Sequence, residues 1–143
     1  MPMANRPLIS VVDDDESVRE AIEGLIRSVG FAVKIFASAE EFLNSDHLSD
    51  TDCLILDVRM PGMDGIELHR HLLASHREMP VIFITAHGSD DWARSRALAN
   101  GAVDFLSKPL SEDELLSAIR KALDRNDAKR KTIELECDKD KHI

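Results

Sequence analysis

The chain has 143 residues, a formal net charge of −9 at pH 7, 43% hydrophobic residues and 31% charged residues. This length fits one domain with a core of its own. The negative charge argues against direct binding to nucleic acid or to an anionic membrane, because both need a basic surface.

Short apolar runs alternate with amphipathic segments. In chain order, the pattern predicts strand 8–12, helix 16–29, strand 32–36, a short helix after the N-cap Ser38, strand 53–56, helix 66–75, strand 80–85, helix 90–99, strand 103–106 and a helix from Ser111 to about residue 123. Five strand–helix units of this length imply a parallel sheet with helices on both faces and right-handed crossovers.

The remaining sequence features indicate a cytoplasmic protein. Met1 to Pro7 contains no apolar signal stretch, and no apolar run reaches the roughly 20 residues that span a bilayer. Two cysteines, Cys53 and Cys137, do not make a disulfide framework, and Cys53 is expected in the core.

Residues 125–143 are charged and poor in apolar residues, so we interpret them as a C-terminal tail or the start of a linker helix.

Polar side chains stand at the ends of the predicted strands. Asp13-Asp14-Asp15 follows strand one, Asp57 ends strand three, Thr85 ends strand four and Lys108 follows strand five. The carboxyl ends of parallel strands share one edge, where ligands bind. Close carboxylates repel each other unless a cation is present, and oxygen ligands suit Mg²⁺. Lys108 and Thr85 suit an anion, so we expect a phosphoryl group on Asp57 as nucleophile.

Four motifs carry a resemblance to a known family. They are Val12-Asp13-Asp14, Leu56 to Gly65 (Leu-Asp-Val-Arg-Met-Pro-Gly-Met-Asp-Gly), Ile84-Thr85-Ala86 and Phe105-Leu106-Ser107-Lys108-Pro109. Together they resemble a response-regulator receiver domain of two-component signalling, and residues 7–124 would form that domain. Ala86-His87-Gly88 and residues 101–106 resemble the FixJ-like and NtrC-like receivers. The resemblance implies a doubly wound α/β fold with five parallel strands in the flavodoxin-like order 2-1-3-4-5 and five helices.

The resemblance also implies roles for single residues. Asp57 would be the phosphoacceptor, and Mg²⁺ would be bound by Asp13, Asp14, Asp57 and the backbone carbonyl of Arg59. Lys108 would bridge to the phosphoryl group, and the Lys108–Pro109 peptide would be cis. Thr85 and Phe105 would form the switch pair, in which the hydroxyl moves toward the phosphoryl group and the ring turns inward.

The expected function is a phosphorylation switch. A sensor histidine kinase donates the phosphoryl group, and the face of helix four, strand five and helix five changes its binding to a downstream protein partner, an output domain or a second copy of the chain. Only self-phosphorylation and autodephosphorylation are expected, without turnover of a free substrate. Two alternatives stay open: the receiver half of a DNA-binding regulator, and a haloacid-dehalogenase-type phosphatase, whose Asp-x-Asp-x-Thr motif matches residues 13–17 only loosely.

Several other residues invite a functional interpretation. We interpret the six histidines as surface residues rather than metal ligands, with the entrance to the site as an alternative role for His87. Trp92 is expected to be packed or half-exposed, with a partner contact as its alternative role. Arg94 and Arg96 are expected to be solvated.

Overall fold

The computed structural model describes residues 6–77, 79–86 and 91–125. One sheet contains five parallel strands in the order β2-β1-β3-β4-β5, which confirms the expected fold. The elements are β1 Leu8–Val12, α1 Glu16–Ser28, β2 Ala32–Phe36, α2 Ala39–Leu43, β3 Cys53–Asp57, α3 Gly65–Ala74, β4 Val81–Thr85, α4 Asp91–Ala99, β5 Asp104–Ser107 and α5 at residues 112–125.

The observed elements differ from the predicted ones mainly at their ends. Strand β3 continues through Asp57, because Asp57 still pairs with Ile84 of β4. Helix α1 ends at Ser28, and the following glycine, Gly30, has a φ of +92° that closes the helix. Residues 126–143 of the predicted tail and His87 lie outside the described residues, whereas residue 125 belongs to α5.

The strands alternate their side chains between two helical layers. On one face, β-strand residues pack against α1 and α5 through buried Ile22, Ile26, Leu115 and Ile119. On the other face, α2, α3 and α4 cover a second cluster that contains Phe36, Phe42, Phe83 and Phe105. Cys53 is buried between these layers, as expected. Within the described residues, no helix is both long enough and apolar enough to cross a membrane.

Two expectations about individual residues were wrong. His69 is only 4% exposed, because it shares the buried face of α3 with Ile66 and Leu72, three residues before and after it. Trp92 is 66% exposed, because α4 buries only Ala93 and Ala97 against the sheet. The surface interpretation therefore fails for His69, and the packed or half-exposed interpretation fails for Trp92.

Candidate functional site

Asp57 lies at the end of β3 with its carboxylate nearly enclosed. The residue is 4% exposed, and the Arg59 N–H donates to Asp57 Oδ1 at 3.2 Å. The first residue of α3, Gly65, packs directly against the Asp57 backbone. A Cβ at Gly65 would stand 2.2 Å from the Asp57 carbonyl oxygen, so the helix can start this close to β3 only with glycine there.

Asp13 is held from several directions directly after β1. Its N–H donates to the Phe36 carbonyl at 3.1 Å, and its Oδ1 accepts from the Asp15 N–H at 2.9 Å. Arg19 Nη1 donates to the Asp13 carbonyl at 2.7 Å. The carboxylate is fully buried, whereas its neighbour Asp14 is exposed. Helix α1 therefore holds the Asp13 backbone through Arg19, and its N-cap residue Asp15 orients the Asp13 carboxylate.

Lys108 brings a positive charge to the two buried carboxylates. Its Nζ lies 3.0 Å from Asp13 Oδ2 and 3.5 Å from Asp57 Oδ2. Its own N–H donates to the Thr85 carbonyl at 2.7 Å, and the Lys108–Pro109 peptide is cis, as the resemblance implied. Burial alone would lower the pKa of Lys108, but the hydrogen bond to Asp13 and the charges of Asp57 and Asp13 outweigh burial and raise the pKa.

The surroundings of Asp57 disfavour the ionised form of its carboxyl group. The pKa of Asp57 is raised to about 7, mainly by burial and further by the negative charge of Asp13. The Lys108 ammonium and the Arg59 N–H act in the opposite direction without cancelling it. A bound cation favours the ionised form of Asp57, so binding of a cation at this position would be favourable.

Three carboxylates of the site could bind one ion together. Asp13, Asp14 and Asp57 each offer an oxygen, and these oxygens lie within 4.8 Å of one another. An all-oxygen set of this kind matches a hard cation such as Mg²⁺, which also retains water ligands. The backbone of Arg59 adjoins this cluster through its bond to Asp57.

The expected switch residues lie on the α3–α4 side of the sheet, Thr85 at the end of β4 and Phe105 within β5. Thr85 is the last residue of β4 and is buried. It follows Phe83 by two positions, so both side chains point to the same face of the sheet. Phe83 pairs with Phe105 across β4 and β5, and their ring centroids are 6.2 Å apart. Phe105 is 5% exposed, so its ring lies in the inward orientation.

Sequence reasoning thus identified the residues that meet at the sheet edge, but it missed the residues that hold them. Asp15 caps α1 by accepting from the Ser17 N–H at 2.9 Å. Glu40 of α2 accepts from the Met63 N–H at 3.2 Å and so ties down the loop after Asp57. The N-cap pattern before residue 16 was a signal for Asp15, whereas nothing in the sequence indicated the Glu40 contact.

Comparisons with known proteins agree with this arrangement. The family model described as "Response regulator receiver domain" matches residues 9–120. The response regulator protein TodT of Pseudomonas putida is 48% identical over 116 residues, which are 81% of this chain and 51% of TodT.

Two solved structures are also similar. The response regulator StyR has a TM-score of 0.85 and 44% identity, with 93% of this chain and 67% of StyR covered. The FixJ-N structure has a TM-score of 0.75 and 37% identity, with 84% of this chain and 95% of FixJ-N covered.

The chain spans about half the length of the curated relatives it matches. Transcriptional regulatory protein FixJ of Bradyrhizobium diazoefficiens, for example, is 39% identical over 121 residues, which are 58% of its length. The matched region nevertheless includes all four strand ends that carry Asp13, Asp57, Thr85 and Lys108. The chain belongs to the response regulator receiver domains of two-component signal transduction.

Proposed function

We propose that Asp57 accepts a phosphoryl group from the phosphohistidine of a sensor histidine kinase. An Asp57 carboxylate oxygen forms the new bond to phosphorus, and the bond from phosphorus to the imidazole nitrogen breaks with its electron pair on the imidazole. The main support is the Asp57 carboxylate itself, which is buried, lies 3.5 Å from the Lys108 ammonium and adjoins two further carboxylates.

The cation of this site is inferred to be Mg²⁺. Its ligands would be the carboxylates of Asp13, Asp14 and Asp57 and the backbone carbonyl of Arg59. The fit rests on the all-oxygen donor set and on the raised pKa of Asp57, since the mutual repulsion of Asp13 and Asp57 is relieved by a cation. When bound, Mg²⁺ supplies positive charge that stabilises the transferring phosphoryl group.

Lys108 and Thr85 stabilise the phosphoryl group after transfer. The pKa of Lys108 is raised, so the ammonium keeps its charge at neutral pH and can pair with a phosphoryl oxygen on Asp57. The Thr85 hydroxyl, at the end of the adjacent strand, donates a hydrogen bond to another phosphoryl oxygen. Both groups stabilise the negative charge of the phosphoryl oxygens, and neither is changed by the transfer.

The phosphoryl group then controls a binding surface through Thr85 and Phe105. The Thr85 hydroxyl moves toward the phosphoryl group, and the Phe105 ring occupies the space that the hydroxyl leaves. The position of the ring then fixes the arrangement of α4, β5 and α5. A ligand shifts such an equilibrium only by binding one arrangement better than the other. The arrangement favoured by phosphorylation binds a downstream protein, an output domain or a second copy of the chain.

Receiver domains are phosphorylation-switch domains rather than enzymes that turn over a free substrate. For this chain we propose self-phosphorylation and autodephosphorylation alone, in the cytoplasm, within a domain of residues 7–124. Residues 125–143 then form a tail or the beginning of a linker helix. A role as the receiver half of a DNA-binding regulator is favoured by one observation, that the chain spans about half of relatives such as transcriptional regulatory protein FixJ.

The decisive experiment is phosphorylation by a small phosphodonor. The wild-type chain is incubated with acetyl phosphate and Mg²⁺, and intact mass measures the gain of one phosphoryl group. We expect the wild type to gain the mass of one acid-labile phosphoryl group, and we expect no gain for Asp57→Asn or when the cation is chelated. Asp50→Asn is the matched control, because Asp50 is an exposed carboxylate before β3 rather than after it.

Two outcomes would contradict the proposal. Undiminished labelling of Asp57→Asn would exclude Asp57 as the acceptor. Sustained hydrolysis of p-nitrophenyl phosphate, lost in the same variant, would favour the haloacid-dehalogenase-type phosphatase instead.

A further inference from the structure

Helix α4 buries only small apolar side chains against the sheet. Its buried residues are Ala93 and Ala97, whereas α1 buries the larger side chains of Ile22 and Ile26. Two methyl groups remove little apolar surface from water. Contacts made by the exposed side chains of α4 therefore have more weight in deciding where this helix lies.

Arg94 makes one such contact with the Phe105 ring. The guanidinium carbon of Arg94 lies 5.9 Å from the ring centroid, within the range of a cation–π interaction. The same ring contacts the fully buried Phe83 with centroids 6.2 Å apart. Phe105 thus touches Phe83 within the core and Arg94 at the surface.

The surroundings favour a guanidinium at this position. Arg94 lines an open cavity together with Phe105 and the acidic residues Asp104, Asp113 and Glu114. Nearby negative charge attracts the cation to this side of α4, although salt screens part of the attraction. A planar guanidinium also covers an aromatic face better than the compact ammonium of a lysine.

We propose that Arg94 is a positioning residue that holds the Phe105 ring in its inward orientation and links that orientation to α4. This inference rests on the proposed roles of Thr85 and Phe105 as the switch pair. Arg94 contacts the ring in its inward orientation. On this proposal the contact is lost when the ring turns outward, so that Arg94 contributes a difference in free energy between the two orientations. Such a difference is what a residue needs in order to bias a two-state equilibrium.

The first test measures the orientation of the ring without any phosphoryl group. The protein is labelled with 4-fluorophenylalanine, and the ¹⁹F resonance of Phe105 is assigned by its loss in Phe105→Leu. Arg94→Met should lower the ratio of inward to outward ring by about two- to fivefold, as for a cation–π contact at an exposed site. Arg94→Lys should lower it less.

Arg96→Met is the matched control for this test. Arg96 is also exposed and on α4, but its guanidinium carbon lies 5.1 Å from the Trp92 ring centroid rather than over Phe105. We expect it to leave the Phe105 resonance unchanged. A wild-type resonance in Arg94→Met, or an equal shift in Arg96→Met, would overturn the role of Arg94.

The second test adds beryllofluoride, a phosphoryl mimic, with Mg²⁺ and follows the fluorescence of Trp92, the single tryptophan of the chain. Arg94→Met should weaken apparent binding by at most about two- to fivefold, because apparent affinity follows the fraction of the protein in the competent arrangement. The same substitution should have no effect in the Phe105→Leu background.

An equal effect in both backgrounds would show that Arg94 does not act through Phe105. If the wild type binds no beryllofluoride, the proposed function fails. The ring populations from the first test still decide whether Arg94 positions Phe105, so the two failures are distinguishable.

Discussion

The two faces of the sheet differ in the side chains that pack them. The α1–α5 face is built almost entirely from aliphatic residues, including Ile9, Val11, Ile55, Ile82 and Ile84 of the strands. The α2–α4 face contains four phenylalanines in its buried cluster, and the buried His69 ring contacts Phe83 with centroids 5.4 Å apart. One face is therefore almost entirely aliphatic, whereas the other contains aromatic rings and a buried imidazole.

This difference separates two tasks in the molecule. Helix α1 belongs to the aliphatic face and holds Asp13 through Arg19 and the Asp15 N–H. Thr85 and Phe105 point to the aromatic face, where α4 is held by two alanines and a surface cation–π contact. We infer that the aliphatic face keeps the acidic cluster in place while the aromatic face contains the part that can rearrange.

The largest expected effect comes from comparing how firmly α1 and α4 are packed against their faces of the sheet. Ile26→Ala on α1 removes a fully buried side chain and should lower the free energy of unfolding by about 2–5 kcal/mol. Leu98→Ala on α4 removes a side chain that is 44% exposed and should change it by no more than about 0.5 kcal/mol. Urea denaturation measures both. Equal losses would mean that α4 is packed as firmly as α1, and the comparison would fail.

A smaller effect is expected from two glycines with opposite surroundings. Gly65→Ala places a Cβ 2.2 Å from the Asp57 carbonyl oxygen, so β3 and α3 must separate, at a cost of about 1–3 kcal/mol. Gly24 lies inside α1 with no atom within 4 Å of a Cβ, so Gly24→Ala should stabilise the fold by up to about 1 kcal/mol.

The same pair of variants also tests how closely Gly65 controls the site. Gly65→Ala should slow phosphorylation by acetyl phosphate because it displaces Asp57, whereas Gly24→Ala should leave the rate unchanged. A Gly65→Ala protein with wild-type stability and rate would show that the approach of α3 to β3 is not needed.

The residues of the site could be predicted because their positions follow from the sheet alone. Asp13, Asp57, Thr85 and Lys108 each stand at or just after the end of an apolar run, and parallel strands bring these ends to one edge. The apolar runs of β3 and β4 are buried throughout, so they are easily recognised as strands. The strand order of the structure adds only the information of which strand ends lie next to each other.

The remaining features depend on how separate elements pack against one another, which no local pattern contains. The exposure of Trp92 depends on which side chains of α4 face the sheet, and the Arg94–Phe105 contact joins two separate elements. His69 is a different case, because its spacing from Ile66 and Leu72 already indicated the buried face of α3. It was misassigned because the histidines were considered as possible metal ligands and not by their phase in the helix.

The smallest expected effect concerns His69 and the dependence of stability on pH. Burial lowers the pKa of His69 below its usual value of 6.5, and its buried Nδ1 has no hydrogen-bond partner among the described residues. The unfolded chain therefore binds a proton at a pH where the folded chain does not. Stability from this residue is lost as the pH falls through 6.5, by up to about 1.4 kcal/mol between pH 7.5 and 5.5.

His69→Leu should remove this loss, so its stability relative to the wild type should rise by up to about 1.4 kcal/mol between pH 7.5 and 5.5. Urea denaturation at several pH values measures the difference, and taking the difference cancels the titration of the carboxylates. His71→Leu is the matched control, since His71 is exposed on the same helix. If both variants follow the wild-type pH dependence, His69 accepts a proton within the fold, and the aromatic face is then more open to water than its packing indicates.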